Sequence, residues 1–192
     1  MIDFTKSKQY TLSIRLSTDG FSFSIYNPIH DDSLSIIEKE IDTSLSLTAN
    51  LKAVFHESDF LNHPYKRVNI MMASKRFTIA PLDLFEEGQA ELLFYHNHQK
   101  RENETVLYNI LRKNNVAVIF GIDKSAQTFL NEQYPEARFY SQSTPFIDYF
   151  SVKSRLGNSK KMYASVRKDG IDIYCFERGP VSYTHLTLPT KR

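Results

Sequence analysis

The feature that most constrains the fold is a pattern of two alternating strands that occurs twice. Residues Tyr10–Asn27 alternate apolar and polar side chains on both sides of Asp19-Gly20, and Met162–Glu177 repeat this around Asp169-Gly170. A period of two is typical of a strand with one buried face, and Asp-Gly favours a tight turn between paired strands. The repeat predicts a duplicated α/β protein whose second half opens with a copy of the first hairpin.

Length and composition limit the class of protein that this chain can be. The chain has 192 residues, of which 41% are hydrophobic, so it is long enough for one full domain and part of another. It contains no apolar run near the ~18 residues that span a bilayer, and its start has no apolar signal segment. The single cysteine, Cys175, excludes an internal disulfide. We therefore expect a cytoplasmic protein with no membrane partner.

The last twelve residues need separate treatment. The stretch Val181–Thr190, VSYTHLTLPT, matches a translated sequencing adapter, and we interpret Val181–Arg192 as a non-native tail. The formal charge of +2 comes from 24 basic and 22 acidic residues, and Lys191 and Arg192 account for the excess. Without the tail the charges balance, so we expect no nucleic-acid partner.

Between the two hairpins, strands alternate with helices. The predicted strands are Ser33–Asp42, Val68–Ala73, Arg76–Ala80, Thr105–Leu111, Val116–Gly121 and Ala137–Ser141. The predicted helices are Thr48–Leu61, Asp83–His96 and Ser125–Gln133, with a fourth that begins at Thr144-Pro145 as N-cap and first residue. This order favours an α/β fold with a mixed sheet flanked by helices.

The order of elements over residues 8–178 resembles the actin-like, ribonuclease H-like fold of sugar kinases, chaperone ATPases and bacterial actins. The whole chain is similar to an uncharacterised bacterial family, a domain of unknown function with a degenerate two-lobed version of this fold. The resemblance implies a first lobe at 1–156, a linker at 157–160, the first hairpin of a truncated second lobe at 161–180 and the tail at 181–192.

In the actin-like superfamily, the turn between the first two strands reads Asp-x-Gly-Thr or Ser. The acid organises Mg²⁺ and the glycine lets backbone N–H groups approach phosphates. Here Arg15 occupies the acid position, Ser17 the glycine position, and Thr18 alone fits. In the second copy Arg167 falls at the acid and Asp169 at the glycine. An arginine cannot bind Mg²⁺, so the resemblance implies no catalytic residue, no metal, no cofactor and no nucleotide.

Three other features have a functional and a structural interpretation. His96 and His98 stand two apart, where helical side chains diverge, so we interpret them as a polar helix end rather than a metal site. Gly121–Ser125 joins a strand to a helix, and Asp123 or Ser125 is more simply an N-cap than part of an anion site. Cys175 alternates with two isoleucines and is predicted to face the core.

A basic segment supplies one further alternative. The cations of Lys153–Lys161, with Tyr149 and Tyr163 nearby, could bind RNA, although we interpret the segment as a solvated linker. The hairpin that follows is marginal alone, so deleting the chain after Leu156 is expected to improve solubility.

Three functional hypotheses follow. The first is a non-catalytic cytoplasmic actin-like protein that acts as a scaffold or protein-interaction module. The alternative is a nucleotide-binding kinase or ATPase of the same fold, with acids in the missing half. The second alternative is an RNA-associated accessory factor.

Overall fold

The computed structural model describes residues 2–29, 34–155, 159–167, 170–177 and 181–187. The strands are β1 (Thr11–Ser17), β2 (Gly20–Tyr26), β3 (Leu34–Lys39), β4 (Arg67–Ala73), β5 (Phe77–Pro81), β6 (Glu104–Leu111), β7 (Val116–Asp123), β8 (Arg138–Ser141), β9 (Lys161–Arg167), β10 (Gly170–Phe176) and β11 (Val181–Thr187). The helices are α1 (Leu47–Glu57), α2 (Ala90–Asn97), α3 (Lys124–Gln133) and α4 (Ser143–Ser154). Among the described residues, no helix is long and apolar enough to cross a membrane.

The chain divides into two compact units. The first unit comprises Met1–Ser74, Gln99–Leu107 and Gly121–Tyr140, and the second comprises Lys75–His98, Tyr108–Phe120 and Ser141–Arg192. These ranges differ from the lobes at 1–156 and 161–180, which stay a prediction. The predicted linker, 157–160, falls partly outside the described residues.

The first unit is built on a five-stranded sheet in the order β3-β2-β1-β4-β8. The pairs β1–β2 and β2–β3 are antiparallel and β1–β4 is parallel, which confirms the mixed sheet. One face of β1 and β2 is buried because apolar residues alternate along both strands. These core residues are Leu12, Ile14, Leu16, Phe21, Phe23 and Ile25.

Helical elements complete that core. Phe60, from the 3₁₀ turn Asp59–Asn62, meets Phe23 edge to face with ring centroids 5.6 Å apart. Phe55 of α1 meets Phe129 of α3 in the same way at 5.1 Å. Aromatic pairs in this geometry stabilise the fold beyond the area they bury, by about 0.5–1.5 kcal/mol.

Asp123 holds the start of α3. Its carboxylate accepts hydrogen bonds from the Ala126 backbone N–H at 2.8 Å and from the Asn103 side-chain amide at 2.7 Å. Thr48 of α1 donates a third, at 3.2 Å. Asp123 is therefore an N-cap, as predicted, and its partners show that the cap also ties α1 and the chain before β6 to this corner.

Two further sheets are three-stranded, β5-β7-β6 and β11-β10-β9, and the latter lies in the second unit. Helix α4 packs on one face of the latter. Phe150 stacks on Tyr163 with centroids 4.2 Å apart, Phe146 meets Tyr174 at 5.8 Å, and the hydroxyls of Ser143 and Tyr174 are 3.1 Å apart. The second hairpin is thus anchored to α4 by ring contacts and a hydroxyl contact. Residues 181–187, left out of the predicted fold as tail, form a strand along β10.

Three sequence-based predictions are wrong. The helix expected from Asp83 begins at Ala90, because two 3₁₀ turns take up the residues before it. Helix α4 begins at Ser143, so Thr144 is inside the helix rather than its N-cap. Cys175 is exposed, because the aromatic cluster with α4 buries the opposite face of β10.

Candidate functional site at the β1–β2 turn

The candidate site lies at the C-terminal end of β1. Ser17 pairs with Gly20, so the loop residues are Thr18 and Asp19 and the glycine starts β2. Gly20 has φ +145°, and a Cβ there would lie 3.0 Å from the carbonyl oxygen of Lys39. Neither loop residue has a positive φ, which a type I′ turn would need at both. The predicted hairpin is therefore present, with Thr18 and Asp19 as its two loop residues.

Arg15 points its charge at this turn. Its Nη1 is 3.9 Å from Oδ1 of Asp19, at the outer limit of an ion pair, and both side chains are partly exposed. Such a pair contributes at most about 1 kcal/mol. Ser17 is buried and Thr18 is exposed. The turn thus presents a guanidinium and a hydroxyl, and the carboxylate it contains already faces a cation.

The strand register changes which residues of the two hairpins are equivalent. In the second, Arg167 pairs with Gly170, as Ser17 pairs with Gly20 in the first. Arg167 is therefore equivalent to Ser17, and Ser165 is equivalent to Arg15. The similar sequences Ser13-Ile14-Arg15 and Ser165-Val166-Arg167 thus lie two residues out of register. The predicted position Asp169 lies outside the described residues.

The two histidines are not brought together as ligands. The ring of His98 lies 4.6 Å from that of Phe94, and its Nε2 is 3.1 Å from the carbonyl oxygen of Phe77. His96 is exposed at the end of α2. Among the described residues, no group of three His, Cys, Asp or Glu could hold a metal ion.

The cations of the basic segment have structural contacts. Lys153 lies over the ring of Tyr149 at 4.6 Å, and Lys161 donates to the Lys153 carbonyl at 2.9 Å. Arg155 donates to the backbone of Lys113 at 2.7 Å, and Lys160 pairs with Glu177 at 2.9 Å. These contacts tie the end of α4 to its surroundings, and they give the segment a structural explanation.

Sequence reasoning missed the partners of Asp123. Thr48 and Asn103 stand 75 and 20 residues away from it. Neither has a sequence signal of its own, because a threonine in the first turn of a helix and an asparagine in a polar loop are ordinary. Only the folded chain brings them to one carboxylate.

Solved structures share the fold of this chain. The chain is similar, with 80% identity and a TM-score of 0.94, to a Bacteroides thetaiotaomicron protein described as having an actin-like ATPase fold and unknown function. The similarity covers 99% of this chain and 74% of that one. The protein therefore has an actin-like fold, as the sequence predicted.

A more distant neighbour has the same fold. It comes from a structure of the PilM–PilN type IV pilus biogenesis complex, with 12% identity and a TM-score of 0.51 over 93% of this chain and 61% of that one. No match was found among curated proteins. The model of the family described as protein of unknown function DUF3822 matches residues 1–186, and the chain belongs to that family.

Proposed function

We propose that this chain is a non-catalytic cytoplasmic protein that acts as a scaffold or protein-interaction module. The observation that carries the proposal is the position of Arg15 at the end of β1, with its guanidinium 3.9 Å from the carboxylate of Asp19. A cation cannot ligate Mg²⁺, and it opposes the binding of one by the neighbouring acid. The β1–β2 turn thus presents a cation where metal-assisted hydrolysis would need an acid.

A protein partner is the simplest use of such a fold. The PilM–PilN structure is itself a protein complex, so the actin-like fold occurs in proteins that bind other proteins. The cations of Lys153–Lys161 have structural contacts, and no observation favours the RNA-associated alternative.

Calorimetric titration with Mg²⁺-ATP, together with a phosphate-release assay, tests the proposal. We expect neither binding heat nor turnover. Micromolar binding with turnover would contradict the proposal, and an Arg15→Gln variant would then show whether the guanidinium takes part. Loss of that binding in the variant would mean that Arg15 serves as a phosphate ligand.

One observation favours a second candidate, a kinase or ATPase whose acids lie outside this chain. The Bacteroides protein extends beyond the similar region, since this chain covers 74% of it. The same assays on that full-length protein discriminate the two. Turnover there, abolished by substituting an acid in the additional region, would favour the enzyme.

A further inference from the structure

A cleft of about 370 Å³ lies in the first unit, between two short segments. Residues 64–68 lead into β4, and residues 133–138 lead from α3 into β8. Lys66, Arg67 and Arg138 line it and are exposed, whereas the single lining carboxylate belongs to Glu136. Within the described residues, none of the three cations has an ion-pair partner. The cleft therefore has an excess of positive charge.

The two walls of the cleft are hydrogen-bonded to the same turn. The Tyr65 hydroxyl donates to the carbonyl of Phe60 at 2.7 Å, and the Tyr134 hydroxyl donates to that of Leu61 at 2.6 Å. Both carbonyls belong to the 3₁₀ turn Asp59–Asn62. A wall that is held before binding loses little freedom when a ligand arrives, which favours affinity.

The two phenols do not offset the positive charge. Burial raises the pKa of Tyr65 to about 12. Burial, with a smaller effect of Tyr65, also raises the pKa of Tyr134. Both hydroxyls therefore stay neutral near pH 7 and keep their role as hydrogen-bond donors to the carbonyls of Phe60 and Leu61.

We infer that this cleft docks a short acidic segment of a partner protein. Three cations against one carboxylate complement side chains of Asp and Glu, and the volume is at the small end of ligand pockets, which run from about 300 to 1,000 Å³. The rings of Tyr65 and Tyr134 and the prolines 64 and 135 supply apolar wall between the charges. The inference rests on the proposed function as an interaction module and names the chemistry of its partner.

A polyanion fits this surface less well. The cations are gathered at one cleft instead of along a stripe, and the chain without Lys191 and Arg192 has equal numbers of acidic and basic residues. Nucleic-acid binding draws on charge spread along a backbone path. A cluster of three cations can pair with a few carboxylates of a short peptide segment.

Fluorescence anisotropy with a labelled EDEYEDE peptide tests the inference, with QNQYQNQ as the neutral control. We expect EDEYEDE to bind the full chain and QNQYQNQ not to bind. Replacing Arg67→Glu and Arg138→Glu together should raise Kd by about tenfold or more, because the cations would become like charges of the ligand. A neutralising pair, Lys66→Gln with Arg138→Gln, should raise it by about threefold and keeps the test usable if charge reversal impairs folding.

A matched control variant has the same change of charge at exposed positions outside the cleft. Arg101 and Lys124 are exposed cations of the first unit, and Lys124 begins α3 whereas the cleft adjoins its end. Replacing both with Glu should change Kd by less than about twofold. If the control variant raised Kd equally, the effect would be due to overall charge, and the inference would be overturned.

Three other outcomes would also overturn it: no binding of EDEYEDE, displacement of the peptide by citrate at equal carboxylate concentration, or tighter binding of a labelled oligouridine. Citrate displacement would indicate a site for small carboxylates, and oligouridine binding a nucleic-acid surface. Phosphate release from ATP by the same preparation would contradict the proposed function alone. If the peptide did not bind and ATP was not hydrolysed, only the inference about the cleft would be overturned.

Discussion

The first hairpin (β1–β2) and the second hairpin (β9–β10) share a register but bury opposite faces. The first buries an apolar face at Leu12, Ile14, Leu16, Phe21, Phe23 and Ile25. The equivalent positions of the second, also apolar, are exposed or half-buried: Met162, Ala164, Val166, Ile171, Ile173 and Cys175. The second hairpin instead buries Asp172, Tyr174 and Phe176 on the face that meets α4.

The second hairpin exposes the apolar face that the first hairpin buries. Met162 and Val166 are 69% and 71% exposed, although apolar side chains at these positions form a core in the first hairpin. Apolar residues on both faces are typical of a strand between two layers. The 80% identical structure is longer, since this chain covers 74% of it. The truncated second lobe stays a prediction. Its physical basis is the exposed apolar face of the second hairpin.

The largest expected effect comes from an identical charge placed at equivalent positions. Ile14→Asp should cost more than about 4 kcal/mol of unfolding free energy and prevent the first unit from folding, because the carboxylate would be buried. Ala164→Asp should cost less than about 0.5 kcal/mol, because that position is exposed. Urea unfolding followed by circular dichroism measures both. Similar losses in the two variants would mean that the second hairpin is covered on both faces.

Removing the second hairpin should have the next largest effect. A chain that ends at Leu156 leaves Phe146 and Phe150 without their contacts on Tyr163 and Tyr174. We therefore expect lower solubility and stronger binding of a hydrophobic dye, which reverses the expectation from sequence. The soluble fraction after expression, measured beside the full chain, decides between the two. A more soluble truncated chain would show that α4 does not depend on the hairpin.

A smaller effect is expected at the turn of the first hairpin. Gly20→Ala should lower the unfolding free energy by about 1–3 kcal/mol, because φ is +145° and the added Cβ would meet the Lys39 carbonyl. Gly88→Ala is the control, since nothing lies within 4 Å of its added Cβ. It should change stability by less than about 1 kcal/mol, in either direction. Equal losses at both glycines would contradict the strain assigned to Gly20.

The smallest effect concerns the bond between α4 and the second hairpin. Tyr174→Phe should cost about 1 kcal/mol, because the buried Ser143 hydroxyl loses its partner. Tyr163→Phe keeps the ring that stacks on Phe150 and should cost less than about 0.5 kcal/mol. Thermal unfolding of the two variants at the same pH measures the difference in their stability. If the two variants were equally stable, the hydroxyl contact would have no energetic weight.

Much of the fold could be predicted because its signals are local. Alternation located the strands of the first hairpin, and Asp123 at a strand-to-helix junction predicted a cap. Asn115 has φ +53°, as expected of asparagine at a tight turn. The start of α2 was missed because Asp83 resembles an N-cap, while its carboxylate instead accepts a hydrogen bond from Asn115 at 3.0 Å.

The parts that depend on distant contacts could not be predicted. Cys175 was assigned to the core because alternation gives two faces but not which one is covered, and α4 decides that. The basic cleft was missed because charge was counted over the whole chain. Lys66 and Arg138 are distant in sequence, and only the fold brings them to one surface.

The exposure of Cys175 has a practical use. It is the single cysteine in the chain, so a thiol-reactive fluorophore would attach at one position without any mutation. That position is on the face of β10 opposite α4. The emission of the dye would respond to any polypeptide that packs over this face, so the labelled chain would report such contacts directly.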